Sequence, residues 1–211
     1  MRVDRAREAA LDALAACRRN GAWIDGALKQ VLKRDGLSGR DAAFASRIAY
    51  GVMQNRIYLD RCLARCLTQR PEKLEPLLLN ILRIGAYQIL FMDKVPVNAA
   101  VNEAVEMAKA HKLSRAAGLV NAVLRNVDRR KGEPLAFADE LEALSVQTSH
   151  PRALVERMVG LLGAEEAEAF LRADNEPVPT TIQTNTLKTT AKRLRASLED
   201  EGVTVEPHPW L

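Results

Sequence analysis

With 211 residues, 47% of them apolar, the chain has material for one domain of ordinary size plus an appendage, and too little for two large ones. Glu8 and Asp12 interrupt the first apolar stretch, and the most apolar segment, Leu77 to Met92, is broken by Asn80, Arg83 and Gln88. No export signal and no membrane span are therefore expected, and three cysteines without framework spacing fit a reducing cytoplasm. The net charge of +4 hides a division: residues 1–131 hold 24 Lys and Arg against 13 Asp and Glu, while residues 132–211 hold 7 against 14. Such asymmetry points to a polyanion partner for the first part, a solvated basic surface being the plain alternative, and to a domain boundary near Gly132 to Pro134.

From Asp4 to Cys17 apolar residues recur at helical spacing, with Asp4 as the expected N-cap. A second helix is expected over Ile24 to Lys33, and a third opens at Ser38, where Asp41 three residues on resembles a capping box. Its pattern runs through Phe44, Ile48, Val52, Leu59, Leu63 and Leu67 to Pro71, with a break near Asn55. Glu75 to Met92 is apolar nearly all round, as at the centre of a bundle. Asn98 starts another helix, and a link around Ser114 leads to a last basic one with Val120, Val123, Leu124 and Val127 inward. Links this short favour antiparallel neighbours, so residues 1–131 read as an all-α bundle.

Gly51, Gly85 and Gly118 lie inside these helices, where glycine costs about 1 kcal/mol relative to alanine, and close helix contact is the expected reason. Residues 132–176 read as a linker of short helices: Leu135 to Val146, one with Pro151 in its first turn, and Glu165 to Ala173. In residues 177–211 a strand is expected over Thr180 to Asn185, a helix over Thr190 to Asp200 and a strand over Val203 to Glu206. This is the start of an α/β domain, expected to be cut before its sheet is complete.

No Gly-Gly and no Gly-x-Gly occurs, so neither a dinucleotide fingerprint nor a glycine-rich phosphate loop is present in its usual form. Cys62 and Cys66 share a helical face without a further ligand near in sequence, and packing is their expected role rather than metal binding or nucleophilic attack. His111, His150 and His208 are scattered and receive no catalytic role. Arg2, Arg5 and Arg7 crowd the start of the first helix, where the macrodipole disfavours cations, so an outside anion is expected there. Arg125, Arg129, Arg130 and Lys131 form a second cationic cluster near a helix C-terminus, a place where cations are also favourable with no partner. Asn102 and Asn121 are expected to bond between helices. Aromatic residues make up only 4% of the chain, so RNA contact is expected to be electrostatic and directed at backbone or folded shape.

Leu82-Arg83-Ile84-Gly85-Ala86-Tyr87-Gln88-Ile89-Leu90-Phe91, the run from Val95 to Glu106, and Ala117-Gly118-Leu119-Val120-Asn121-Ala122-Val123-Leu124-Arg125 closely resemble the NusB-like domain of the 16S ribosomal RNA methyltransferase B family. Ser149-His150-Pro151 and the stretch from Asn175 to Lys188 resemble that family's linker and the start of its next domain. The resemblance implies an RNA-gripping helical domain followed by a Rossmann-like domain that uses S-adenosylmethionine and a cysteine nucleophile to methylate cytosine C5. This chain has no match to the family's cofactor loop or Pro-Cys motif, so no catalytic, cofactor-binding or metal residue is assigned and the 211-residue chain is expected to be inactive alone. Gln183, where the family often has arginine, and Arg152-Ala153, where one position is often aromatic, depart from the pattern. The arginine-rich start matches the N-terminus through which NusB-like proteins contact RNA, which makes Arg2, Arg5 and Arg7 the first expected contacts. The expected protein is a cytoplasmic all-α NusB-like bundle that binds 16S ribosomal RNA, with no membrane or DNA partner; a stand-alone antitermination factor is the alternative.

Overall fold

The computed structural model describes residues 3–177 and 180–208, so Arg2 lies outside the described residues. The first helix, α1 (Arg5–Asn20), begins as expected: Asp4 stands in extended backbone and its carboxylate accepts from the N–H of Arg7 at 3.0 Å. Ala6, Ala9, Ala10 and Ala13 bury a face of small residues on which α2 (Ile24–Asp35) and α3 (Gly39–Gln54) pack. The capping box expected at Ser38 does not form, because Ser38 makes no side-chain hydrogen bond. The break at Asn55 does: its amide donates to the carbonyl of Gly51 at 2.9 Å, closing α3, and α4 (Arg56–Ala64) continues from there.

A short 3-10 turn at Pro71–Lys73 leads to α5 (Pro76–Phe91), the central helix, against which α1, α3, α4, α6 (Val97–Ala110) and α7 (Ala117–Arg129) all pack. Its near-continuous apolar sequence follows from this position, since no side of it faces open water for long. A Cβ at Gly51 would fall on the ring of Tyr87, and one at Gly85 on the methyl groups of Leu124, so close approach explains both glycines. Gly118 differs from the expectation: nothing lies within 4 Å of where its Cβ would be.

Three more helices follow, α8 (Glu140–Thr148), α9 (Arg152–Leu162) and α10 (Ala164–Ala173). The helix expected from Leu135 starts five residues later. Asp139 caps it by accepting from the N–H of Glu142 at 2.7 Å, and the Glu142 carboxylate reaches back to the N–H of Ala138 at 2.6 Å, a reciprocal cap that sets the start. The N–H of Glu142 and then the Arg152 guanidinium hold the Asp139 carboxyl below the usual carboxylate range. A carboxyl depressed in the folded state stabilises above its unfolded pKa and ceases to do so as pH falls through the lower folded value. Amide exchange at Glu142 and Ala143 is therefore expected to accelerate, relative to the amides of α5, as pH drops from about 5 to about 2.

Residues up to Asn175 form one compact unit and residues from Glu176 a second. Within the first, α8 packs on α4, Arg65 pairs with Glu133 at 2.7 Å and Arg61 with Glu142 at 3.3 Å, so part of the opposed charge of the two halves is spent in mutual contact. The second unit holds α11 (Ala191–Asp200), capped by Thr190, whose hydroxyl accepts from the N–H of Arg193 at 3.3 Å. Among the described residues no strand forms over the expected Thr180 to Asn185 or Val203 to Glu206: β-branched composition favours extended backbone but does not by itself build a ladder.

Candidate nucleic-acid interface

Arg5 is exposed at the first turn of α1 and donates one Nη2 hydrogen bond to the carbonyl of Asp35 at the end of α2. It lines a shallow cavity of about 480 Å³ with Val3, Glu8, Asp35, Ala110 and His111, in which the His111 ring nitrogen lies 2.8 Å from the Glu8 carboxylate. Asp35 is held below the usual carboxylate range, first by its hydrogen bond from Arg34.

Arg7 is placed differently from the expectation. Its side chain turns inward, 8% exposed, where Nε donates to Gln88 Oε1 at 2.8 Å and the guanidinium lies 4.9 Å from the centre of the Phe44 ring. An amphipathic pattern places a residue on a face but does not show that a polar residue of the neighbouring helix waits there; Gln88, 1% exposed, is that residue.

The second cluster divides in two. Arg125 and Arg129 stand exposed along α7, where Arg125 Nε donates to Asn121 Oδ1 at 3.1 Å and Arg129 to Asn126 Oδ1. Arg130 and Lys131 bend back toward the bundle: Arg130 donates to the carbonyl of Arg65 at 3.2 Å and Lys131 Nζ to that of Ile89 at 3.1 Å. Both line a cavity of about 370 Å³ together with Tyr58, Cys62, Arg65, Cys66 and Phe137. Burial raises the Cys62 and Cys66 thiols above their ordinary pKa, so they are protonated near neutral pH. Alkylation of both by iodoacetamide at pH 7.5 is expected to run about tenfold slower than that of a free cysteine, and equal rates in a mass-spectrometric time course would contradict this.

The arginine pairs do not converge on one spot. Arg5 lies beside Ala110 at the end of α6, whereas Arg125 reaches Asn98 Oδ1 near its start at 3.5 Å, and twelve helical residues separate these levels by roughly 18 Å. Between them runs the exposed side of α6, with Asn98, Asn102 and Lys109. Neither asparagine expected to bridge helices does so: Asn102 is exposed, and Asn121 accepts from Arg125 on its own helix. The i, i+4 spacing of Asn98 and Asn102, opposite buried Ala100, Val101 and Ala104, was the available signal for this ridge. The arrangement offers spaced cations with amide donors between them, while Lys109 is paired with Glu106 at 2.7 Å; such spacing can meet phosphates at separate points along a backbone.

The family model described as NusB family matches residues 4–129, more than half of the chain. The chain belongs to the NusB family. A second model, the ferredoxin-like domain of RsmF/B-like methyltransferases, matches residues 150–211, so a NusB domain and part of a methyltransferase-type architecture occur in one chain. The protein named probable ribosomal RNA small subunit methyltransferase B of Bacillus subtilis is 34% identical over 208 residues, 98% of this chain and 46% of that protein. Its namesake in Synechocystis is 32% identical over 94% of this chain and 45% of its own length. Transcription antitermination protein NusB of Bacillus licheniformis is 37% identical over 93 residues, 43% of this chain and 72% of that protein. The chain thus spans under half the length of the methyltransferase relatives. Among solved structures, the crystal structure of PH0851 superposes over the whole chain and 47% of its own with a TM-score of 0.74 at 22% identity. A chain of the crystal structure of antitermination factors NusB and NusE in complex with double-stranded RNA superposes over 60% of this chain and 95% of its own with a TM-score of 0.55 at 20% identity. Both establish the fold.

Proposed function

We propose that this chain is the RNA-binding portion of an S-adenosylmethionine-dependent methyltransferase that acts on cytosine C5 of 16S ribosomal RNA in the cytoplasm. The observation that carries the reading is the union, in one chain, of a NusB domain bearing exposed cations with a region of RsmF/B type. Arg5, Arg125 and Arg129 are the proposed phosphate contacts, with Arg130 and Lys131, which follow Arg129 at the end of α7, as further ones and Arg2 ahead of α1 in sequence. The alternative, a stand-alone antitermination factor paired with a ribosomal protein as NusB is with NusE, draws on the Bacillus licheniformis similarity but leaves residues 150–211 without a role.

The residues present do not fit the methyl donor. Arg65, Arg130 and Lys131, against the single carboxylate of Glu133, give the cavity beside Cys62 and Cys66 a cationic rim, the wrong surround for a sulfonium, and no glycine-rich loop stands at a strand end among the described residues. Methyl transfer is accordingly proposed to require residues beyond those of this chain, and calorimetric titration with S-adenosylmethionine is expected to give only heat of dilution.

Affinity for a folded 16S ribosomal RNA fragment is expected to fall linearly on a log–log plot against salt, with each phosphate contact adding about 0.7–0.9 to the slope. Arg5→Glu and Arg125→Glu are each expected to lower the slope by about one. A slope near zero in fluorescence anisotropy, or unchanged slopes in both variants, would remove the reading.

A further inference from the structure

The hairpin of α2 and α3 carries a second basic surface, and it differs from the first in holding aromatic side chains. Trp23, directly before α2, is 86% exposed, and Tyr50 near the end of α3 is 42% exposed. The Tyr50 hydroxyl donates to Asp25 Oδ1 at 2.6 Å, which fixes the end of α3 beside the start of α2. With only Gly36 to Ser38 between them the helices run antiparallel, so Lys29, one turn after Asp25, comes level with Arg47, about one turn before Tyr50. Arg18 and Arg19, exposed in the last turn of α1, precede Trp23 by five and four residues.

Charge selects the partner. From Arg18 to Tyr50 the chain holds seven Lys and Arg against three Asp. Two of these aspartates are engaged, Asp25 by the Tyr50 hydroxyl and Asp35 by Arg34 at 2.6 Å, and Asp41 lies at the far end of α3. Lys29, Arg47, Arg18 and Arg19 have no carboxylate partner among the described residues. An indole left in water at the start of a helix that carries unpaired cations satisfies no internal need of the bundle, but it matches a nucleobase stacked on a ring while flanking phosphates meet the cations. Composition alone pointed away from stacking; two rings suffice when both lie at one end of a basic strip.

We propose that the α2–α3 hairpin binds single-stranded RNA, with Trp23 stacking on a base and Lys29 and Arg47 holding adjacent phosphates. This rests on the chain being an RNA-binding protein and adds a contact that reads unpaired strand, where α1 and α7 meet backbone. Trp210→Phe leaves Trp23 as the sole indole of the full chain. In that background a short oligouridine is expected to quench Trp23 emission, and Trp23→Ala to weaken oligouridine binding about tenfold without changing affinity for a blunt RNA duplex or the circular dichroism spectrum. Lys29→Glu with Arg47→Glu is expected to produce the same selective loss. Oligouridine binding that survives Trp23→Ala unchanged, or Trp23 emission that does not respond to oligouridine while the duplex still binds, would overturn the proposal while leaving the broader RNA reading intact; the latter result is also the one expected of a protein-docking surface. Failure of both RNAs to bind would overturn both.

Discussion

Gly51→Ala is expected to lower the melting temperature of the bundle by roughly 4–8 °C. A Cβ there would overlap the ring of Tyr87, which is 8% exposed and cannot swing away: it stacks on Phe91 with centroids 5.4 Å apart, and Phe91 in turn meets Tyr58 edge-on at 5.8 Å. Helix propensity favours alanine by about 1 kcal/mol, whereas overpacking a tight core costs typically 1–3 kcal/mol and sometimes more when rigid groups must move. The second effect wins because a ring, not the end of a flexible chain, occupies the space, and a net loss of about 2 kcal/mol follows. Gly118→Ala should go the other way, neutral to about 1 kcal/mol stabilising, since nothing stands within 4 Å of where its Cβ would be. Calorimetry on both variants, and on Gly51→Ala with Tyr87→Leu, separates the terms: the added Tyr87→Leu should restore part of the loss. A melting temperature that rises in Gly51→Ala alone would show that the close approach of α3 and α5 is not what this glycine is for.

The bundle was legible in the sequence because its signals are local and periodic. Asp4 announces α1 as an N-cap with apolar residues following at helical spacing, and Asn55 and Pro71 punctuate what would otherwise read as one long helix. Errors arose where a rule of composition competed with one of bonding. Leu135 and Phe137 look like helix core, yet they line the cavity beside Cys62, and the helix waits for the Asp139 and Glu142 pair, a D-x-x-E signal outweighed by the apolar run before it. Thr180 to Asn185 has strand composition, but composition cannot supply the partner that a strand requires. The site was legible only as charge. Sequence places Arg5 and Arg7 two residues apart at one helix start, and only packing shows that Arg5 faces outward while Arg7 faces Gln88. Trp23 escaped notice for a related reason: a single tryptophan is read as core until its exposure is known.

Arg7→Met should destabilise the fold by about 2–4 kcal/mol and leave RNA affinity unchanged, the reverse of what its place beside Arg5 in the sequence suggests. Gln88 is shut off from water, with Nε2 donating to the carbonyl of Ile84 at 3.0 Å and Oε1 accepting from Arg7 Nε. Without Arg7 that oxygen loses its donor where no solvent can replace it, a cost of about 1–3 kcal/mol. Contact of the guanidinium with Phe44 adds about 1 kcal/mol, and the 3.3 Å pair with Asp4, whose carboxylate is 38% exposed, adds little. Asp4 keeps its role in the variant, because it caps α1 through the backbone N–H of residue 7 rather than through the arginine side chain. The decisive comparison is the double variant Arg7→Met with Gln88→Met: removing donor and acceptor together should recover most of the loss, since two apolar chains can fill the space with nothing left unpaired. Chemical denaturation reads the stability and anisotropy reads the RNA. Additive losses in the double variant would break the assignment of Arg7 to Gln88, and a fall in RNA affinity with stability preserved would return Arg7 to the interface with Arg5.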